Sequence, residues 1–206
     1  VLRHYRFLSE VSGWNIKPVP PRIQWRDQPV MVMFDIKTSP YVVLNPGSNE
    51  YGRRWPVKNY IQIANYLRDR GLRVVIIGGK NERIFDKRVF SNEDSIVNLS
   101  GKTELPELLD LLNHAACVIS NDTGPAHLSI ALETPTVVIV GGGHFGSFVP
   151  YPKKITPQNT RFVYQKMSCY HCFWNCHLRT TKFDSFPCIQ GVTNQMVWNA
   201  CKEVLP

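Results

Sequence analysis

The sequence predicts an α/β fold built on one parallel sheet with helices on both faces. Short apolar runs alternate along the chain with segments of helical period. A strand that helices cover on both sides is apolar throughout, and crossover helices join parallel strands. Glycine, asparagine, serine or aspartate follows five of the predicted strands, at the sheet edge where such folds bind ligands.

The first 40 residues are predicted to form a linker and an amino-terminal extension. Residues 1–12 fit a short amphipathic helix, and five prolines between residues 13 and 40 indicate an irregular segment. Residues 41–206 are predicted to form the regular domain, which includes a Cys-rich segment at 169–188.

Apolar runs within residues 41–206 predict strands at 41–44, 72–77, 96–99, 117–120, 136–140 and 161–165. Helices are predicted at 58–70, 82–90, 105–116, 125–132 and 193–204. Gly71 stands at the stop position of the first helix, Thr103 and Pro106 start the third, and Thr193 is the expected N-cap of the last.

Length and charge restrict the class of protein. The 206 residues carry a formal net charge of +8, and no apolar run approaches the roughly 20 residues that a membrane span needs. The first residues lack the pattern of a secretory leader. Basic residues are dispersed and do not alternate with aromatic ones, which favours a small anionic ligand or an acidic membrane face over nucleic acid. Because the chain begins without methionine, we expect it to be a piece of a longer protein.

The turn after the first strand spans residues 45–56 and carries anion-binding groups. Gly47 and Ser48 offer amides and a hydroxyl, and Arg53 and Arg54 offer guanidinium groups that suit a diphosphate. The alternative is a surface loop with a solvated arginine pair and a core residue at Trp55.

The turn at residues 120–127, Ser-Asn-Asp-Thr-Gly-Pro-Ala-His, is the most informative part of the chain. It joins a predicted strand to a predicted helix, so backbone amides and the positive end of a helix dipole meet at one spot, which suits a phosphate. The alternative is that Asp122 or Thr123 is only the helix N-cap, and that His127 is only a half-buried side chain of the first turn.

The three other turns carry weaker signals. A structural role is favoured for 78–82, although Glu82 suits a ribose hydroxyl or an amino group. In 99–105, either Thr103 is only a helix N-cap, or Gly101 and Lys102 face the same ligand. Residues 141–146 match the dinucleotide pattern G-x-G-x-x-G, but the proline-containing stretch 147–152 follows instead of a helix, so a nicotinamide or flavin site is rejected. These glycines are interpreted as positions where the backbone approaches a ligand closely.

Together these turns resemble the heptosyltransferases of glycosyltransferase family 9. The resemblance covers residues 41–145, and its most specific part combines Asp122-Thr123-Gly124-Pro125-x-His127 with the upstream Arg53-x-Trp55-Pro56. The family has the GT-B fold, in which two Rossmann-like halves face each other across a cleft. The resemblance implies that this chain is the carboxyl-terminal half, a Rossmann-like parallel sheet that binds the nucleotide-sugar donor. The other half binds the lipopolysaccharide-core acceptor and carries the general base, so we expect the isolated chain to be nearly inactive.

The resemblance implies an inverting transfer of heptose, or a related sugar, from an ADP-sugar without a metal or another required cofactor. Arg53 would neutralise phosphate, Asp122 would contact sugar hydroxyls, and His127 would stand beside the diphosphate. The residues predicted to bind the donor are Ser48, Asn49, Glu82, Gly101, Lys102, Thr123 and Gly124. The loop at 141–145 departs from the Gly-Pro-Thr that many members carry, which leaves the sugar open.

The resemblance also implies a cytoplasmic protein, possible peripheral contact with the inner face of the inner membrane, and no nucleic-acid partner. Two other functions remain open: a sugar-nucleotide epimerase of related fold, and a non-catalytic module that binds nucleotide-sugars.

Four cysteines of the Cys-rich segment follow the pattern C-x2-C-x3-C-x11-C, at Cys169, Cys172, Cys176 and Cys188. A structural zinc site, disulfides and free packing thiols all fit the spacing. The family's cytoplasmic location argues against disulfides. Structural cysteines, free or disulfide-linked, are favoured over zinc.

Overall fold

The computed structural model describes residues 2–36, 40–80 and 95–205, and only the backbone of residues 2 and 3. Its centre is a sheet of six strands in the order β3-β2-β1-β4-β5-β6. The strands are β1 (Tyr41–Asn45), β2 (Arg73–Ile76), β3 (Ile96–Asn98), β4 (Cys117–Asn121), β5 (Thr136–Ile139) and β6 (Thr160–Val163). Every neighbouring pair is parallel, which confirms the predicted sheet.

The described helices are α1 (Leu2–Ser12), α2 (Val30–Met33), α3 (Val57–Arg68), α4 (Leu105–Asn113), α5 (Gly124–Ala131), α6 (Pro187–Gln190) and α7 (Asn194–Val204). The helix predicted at 82–90 lies outside the described residues. Thr193 is the N-cap of α7 as predicted, since its hydroxyl accepts a hydrogen bond from the Met196 amide at 3.2 Å. The predicted start of α4 at Thr103 is wrong: Glu104 is its N-cap, and the Glu107 carboxylate accepts from the Glu104 amide at 2.8 Å.

Side chains of β1 alternate between the two faces of the sheet even though residues 41–44 are apolar throughout. Val42 and Leu44 of β1 point into the core formed with α3 and α7. Tyr41 and Val43 point into a second core that includes α4. Both faces are therefore covered, which explains why the strands lack polar residues on alternate positions.

Part of the amino-terminal extension packs against the domain. The Ile23 amide donates to the Ala131 carbonyl at 3.1 Å, and Val30 and Ile36 are buried against the core that includes α4. Among the described residues, no helix is both long and apolar enough to cross a membrane.

The strand order places the switch point of the sheet between β1 and β4. On one side of this point the chain runs outward through β2 and β3, and on the other side through β5 and β6. The loops that follow β1 and β4 therefore leave in opposite directions and open a crevice at the carboxyl edge.

Candidate functional site

A pocket of about 570 Å³ lies at this edge. The loop after β1 supplies Gly47, Ser48, Asn49 and Arg53, and the turn into α5 supplies residues 122–125 and His127. The remaining lining residues are Asn45, Ile77, Gly78, Gly79, Thr103, Leu108, His144 and Phe148. The pocket therefore brings together the two turns that the sequence singled out.

Asn45, the last residue of β1, ties the two turns together. Its side-chain amide donates to the Ser120 hydroxyl at 2.8 Å and to the Thr123 hydroxyl at 2.7 Å. Asn45 is only 3% exposed, so these hydrogen bonds form without competition from water. Sequence reasoning treated Asn45 as a turn former and missed this bridge.

Asn121, the last residue of β4, makes the reciprocal connection. Its side-chain amide donates to the Pro46 carbonyl at 2.7 Å. Its side-chain carbonyl accepts from the Trp55 amide and from the Tyr60 hydroxyl, each at 3.1 Å. The sequence feature that could have indicated these contacts is an asparagine at the end of each of two apolar runs. A buried polar side chain at a strand end needs a hydrogen-bond partner.

Asp122 lies between two basic side chains. Nη2 of Arg53 donates to the Asp122 carbonyl at 2.7 Å and to its carboxylate at 3.2 Å. Nε2 of His127 lies 3.6 Å from the other carboxylate oxygen. Asp122 is therefore not the N-cap of α5; Thr123 takes that position, and its hydroxyl accepts from Asn45 instead of capping the helix.

His127 is oriented from its other side by Tyr151. The Tyr151 hydroxyl lies 2.8 Å from Nδ1 of His127. Burial, with smaller contributions from the nearby Asp122 and Tyr5, raises the pKa of Tyr151 to about 12. The phenol stays protonated at neutral pH and can donate to Nδ1 in the His127 tautomer that carries its proton on Nε2, the nitrogen nearest to Asp122.

Two polar atoms at the pocket have no hydrogen-bond partner within the described part of the chain. They are Oγ of Ser48, a residue only 3% exposed, and the buried Nε of Arg53. An unpartnered buried polar group costs about 1–3 kcal/mol. Both atoms carry a hydrogen to donate, so the ligand that would satisfy them offers acceptor oxygens.

The predicted site residues fall into three groups. Ser48, Asn49, Arg53, Asp122, Thr123, Gly124 and His127 all line the pocket. Gly101 and Lys102 are not among the lining residues: the Lys102 ammonium donates to the Asn98 carbonyl at 2.8 Å, while the adjacent Thr103 lines the pocket. Glu82 lies outside the described residues. The roles assigned to all of these residues stay predictions.

His144 is a lining residue that sequence reasoning did not place in the site. Its ring contacts three aromatic rings edge-on, those of Phe148 at 6.2 Å, Phe173 at 5.3 Å and Trp174 at 5.9 Å between centroids. The sequence feature that could have identified His144 is its position in the turn directly after β5, at the same edge as the other predicted residues.

The glycines at 141–143 make room for the Cys-rich segment. The Gly142 and Gly143 carbonyls accept from the His171 and Phe173 amides at 2.8 and 3.0 Å. A Cβ atom at Gly143 would lie 2.3 Å from the Trp174 ring. The close approach that these glycines permit is therefore to protein, which corrects the interpretation that they admit a ligand.

Replacing Gly143 by alanine is expected to destabilise the protein by about 1–3 kcal/mol, the usual cost of overpacking, because the added methyl group must displace Trp174. Urea denaturation measures the change in the free energy of unfolding. Gly124→Ala is the control, since no atom lies within 4 Å of its Cβ position and its φ is not positive. Equal stabilities for the two variants would contradict the steric argument.

All six cysteines of the chain are free thiols. Burial raises the pKa of the Cys188 thiol, and the nearby Cys172, Cys176 and Cys169 add to the shift, whereas a hydrogen bond from the Gly142 amide opposes it. Within residues 2–36, 40–80 and 95–205, no three cysteine, histidine or carboxylate side chains are arranged to hold a metal ion.

The fold and the pocket define a class: parallel α/β proteins with a pocket at the switch point of a Rossmann-like sheet. The chain belongs to glycosyltransferase family 9 (heptosyltransferase), whose model matches residues 1–176. This finding confirms the resemblance seen in the sequence.

Similar proteins include the lipopolysaccharide heptosyltransferase 3 of Escherichia coli K12, which is 30% identical over 135 residues, 64% of this chain and 39% of that protein. The solved E. coli ADP-heptose lps heptosyltransferase II superposes with a TM-score of 0.73 at 20% identity, over 91% of this chain and 55% of that one. The iron-containing heptosyltransferase TibC, solved with ADP-D-beta-D-heptose, has a TM-score of 0.67 at 19% identity, over 93% of this chain and 51% of that one. At these identities the two solved structures show a shared fold. The matches span between about a third and a half of each relative's length.

Proposed function

We propose that the pocket binds the nucleoside diphosphate of an ADP-sugar, as the donor site of a heptosyltransferase. The observation that carries this proposal is the pair of unpartnered donor atoms, Ser48 Oγ and Arg53 Nε, at a pocket beside the start of α5. A diphosphate supplies acceptor oxygens for both atoms and the negative charge that a helix N-terminus favours.

Each predicted site residue has a proposed role. Ser48 and Asn49 donate to phosphate oxygens, and the amides of Thr123 and Gly124 hold the diphosphate at the start of α5. Asp122 accepts from sugar hydroxyls through the carboxylate that Arg53 and His127 hold in place. Glu82 is proposed to contribute near the nucleoside, as the resemblance implies, and Gly101 and Lys102 are proposed to face the same ligand.

The proposed reaction is an inverting transfer in which an acceptor hydroxyl attacks the anomeric carbon and ADP leaves. Negative charge develops on the leaving diphosphate, and Arg53, the fixed amides and the α5 dipole are placed to stabilise it. These groups stabilise the negative charge that a metal ion would otherwise stabilise, so we propose that transfer requires no metal.

We propose that the chain is the donor half of a GT-B enzyme, with the regular domain at 41–206 and the extension at 1–40. The relatives are about two to three times the matched length, so the general base and the surface for a lipopolysaccharide-core acceptor are assigned to the additional part. Such an acceptor is made at the cytoplasmic face of the inner membrane, where we place the enzyme. Family membership favours this transferase over the epimerase and over a non-catalytic module.

A structural role without metal is proposed for the Cys-rich segment. Cys188 is buried, and its sulfur accepts a hydrogen bond from the Gly142 amide at 3.3 Å, as a packing thiol does. TibC is an iron-containing protein, but the described cysteines of this chain do not fit a metal site. Elemental analysis that found one iron or zinc per chain would overturn this assignment.

Calorimetry with ADP tests the donor site on the 206-residue chain. We expect ADP to bind more tightly than UDP, GDP or adenosine. Ser48→Ala is expected to weaken ADP binding about fivefold to tenfold, the effect of losing one hydrogen bond worth about 1 kcal/mol.

Thr160→Val is the matched control, because its hydroxyl is also buried and unpartnered but lies on β6, outside the pocket. Its ADP affinity should equal that of the wild type. Absence of ADP binding at millimolar concentration would remove the proposed function.

A further inference from the structure

Trp174 is not among the residues that line the pocket, yet it contacts two side chains that are. The Arg53 guanidinium carbon lies 4.9 Å from the centre of the Trp174 ring, and the His144 ring lies 5.9 Å from it. Trp174 thus connects the Cys-rich segment to the two turns that bring Arg53 and His144 to the pocket.

The position of the Trp174 ring is fixed from several directions. Phe186, which is 2% exposed, stacks on it at 5.2 Å with an interplanar angle of 26°. The Phe186 amide donates to the Gly52 carbonyl at 2.7 Å, directly before Arg53 in the chain. A second link runs through the Phe173 amide to Gly143. The ring that Arg53 meets is therefore rigidly held.

Tryptophan at position 174 carries a cost in free energy. Its indole Nε1 is buried with no hydrogen-bond partner in the described part of the chain, and its backbone has a φ of 65°. Phenylalanine would fill similar space without burying an N–H group, and a left-handed backbone is unfavourable for a bulky residue. Tryptophan offers the strongest cation–π face of the aromatic residues, so attraction of Arg53 is the gain that offsets the cost.

The geometry of Arg53 shows what this contact accomplishes. Nη2 is occupied by Asp122, whereas Nε is buried and has no partner within residues 2–36, 40–80 and 95–205. A guanidinium group that is held over a ring and bonded at one end cannot turn to find another partner for Nε. We propose that Trp174 is a positioning residue that keeps the Arg53 guanidinium oriented for the donor diphosphate. This inference rests on the proposed function for the identity of the ligand, but not for the contact itself.

A double-mutant cycle on ADP affinity tests the inference on the 206-residue chain. Trp174→Leu is expected to weaken ADP binding between about twofold and thirtyfold, the range of a partly desolvated cation–π pair. Trp174→Phe, which keeps a ring face, is expected to restore much of the loss. In an Arg53→Ala background, Trp174→Leu should change ADP affinity by less than about twofold, because the group through which it acts is gone.

Trp198→Leu is the matched control. Trp198 is also half-buried and carries an arginine over its ring, with Arg70 at 4.8 Å, but neither residue lines the pocket. Its ADP affinity should not change. If Trp174→Leu weakens ADP binding by the same factor with and without Arg53, then its effect is structural and the inference is wrong.

The Nε–H resonance of Arg53 gives a readout that needs no ligand. The ring current of Trp174 displaces this signal, so Trp174→Leu should move it, whereas Trp198→Leu should move only that of Arg70. An unmoved Arg53 signal overturns the inference even if ADP binds. If the wild-type chain binds no ADP but Trp174→Leu moves the Arg53 signal, then the proposed function is wrong and the contact between Trp174 and Arg53 is still supported.

Discussion

Replacing Arg53 by alanine is expected to lower the turnover of sugar transfer by about a hundredfold or more, the scale for losing one strong charge-stabilising donor. The guanidinium lies at the pocket wall with Nη2 bonded to Asp122, and its Nε is buried with no hydrogen-bond partner among the described residues. In the proposed transfer this positive charge acts mainly when ADP leaves, because negative charge then grows on the diphosphate. Turnover is measured at saturating donor in a protein of the relatives' full length.

Two variants distinguish this role from a general loss of folded structure. Arg53→Lys keeps the charge but not the planar fork, so it should retain more activity than alanine does. Arg70→Ala removes an exposed arginine that also lies over a tryptophan ring, away from the pocket, and should leave turnover unchanged. Unchanged turnover in Arg53→Ala would exclude the proposed role in leaving-group stabilisation.

Replacing Trp55 by alanine is expected to lower the free energy of unfolding by about 3–5 kcal/mol. The side chain is fully buried, and its indole N–H donates to the Val192 carbonyl at 2.8 Å. Its ring meets that of Tyr60 edge-on at 5.1 Å. Alanine would leave a cavity in the core under β1 and would leave a buried carbonyl without its partner. The midpoint and slope of urea denaturation measure the change.

Trp14→Ala is the control for this prediction, because Trp14 is 75% exposed and its loss should change stability by no more than about 0.5 kcal/mol. Trp55→Phe, which keeps part of the ring volume, should fall between the two. A Trp55→Ala protein as stable as Trp14→Ala would show that Trp55 does not anchor the loop after β1.

The strands were predictable because a parallel strand covered on both faces favours apolar side chains at successive positions. Val42 and Leu44 face one core while Tyr41 and Val43 face the other, so the run at 41–44 is apolar throughout. The ends of elements were less predictable: α4 starts after Glu104 and not after Thr103, since both residues can cap a helix and tertiary packing decides between them.

The pocket was predictable in part. Seven of the ten predicted site residues line it, because the carboxyl ends of parallel strands share one edge. Which turn points inward does not follow from composition: Lys102 bends back onto Asn98, whereas His144 reaches the pocket. The side-chain partners of Asn45 and Asn121 could not be inferred either, because turn formation explains an asparagine equally well.

The sequence by itself determined that the chain alternates buried strands with helices and places small, polar and charged residues at one edge of the sheet. Only the tertiary structure decided that β1 lies beside β4, so that Asn45 meets Ser120 from 75 residues away. It also decided that Arg53 pairs with Asp122 and lies over Trp174. The reason is physical: local patterns record the period and burial of single elements, whereas strand order and the direction of a long side chain depend on packing between distant segments.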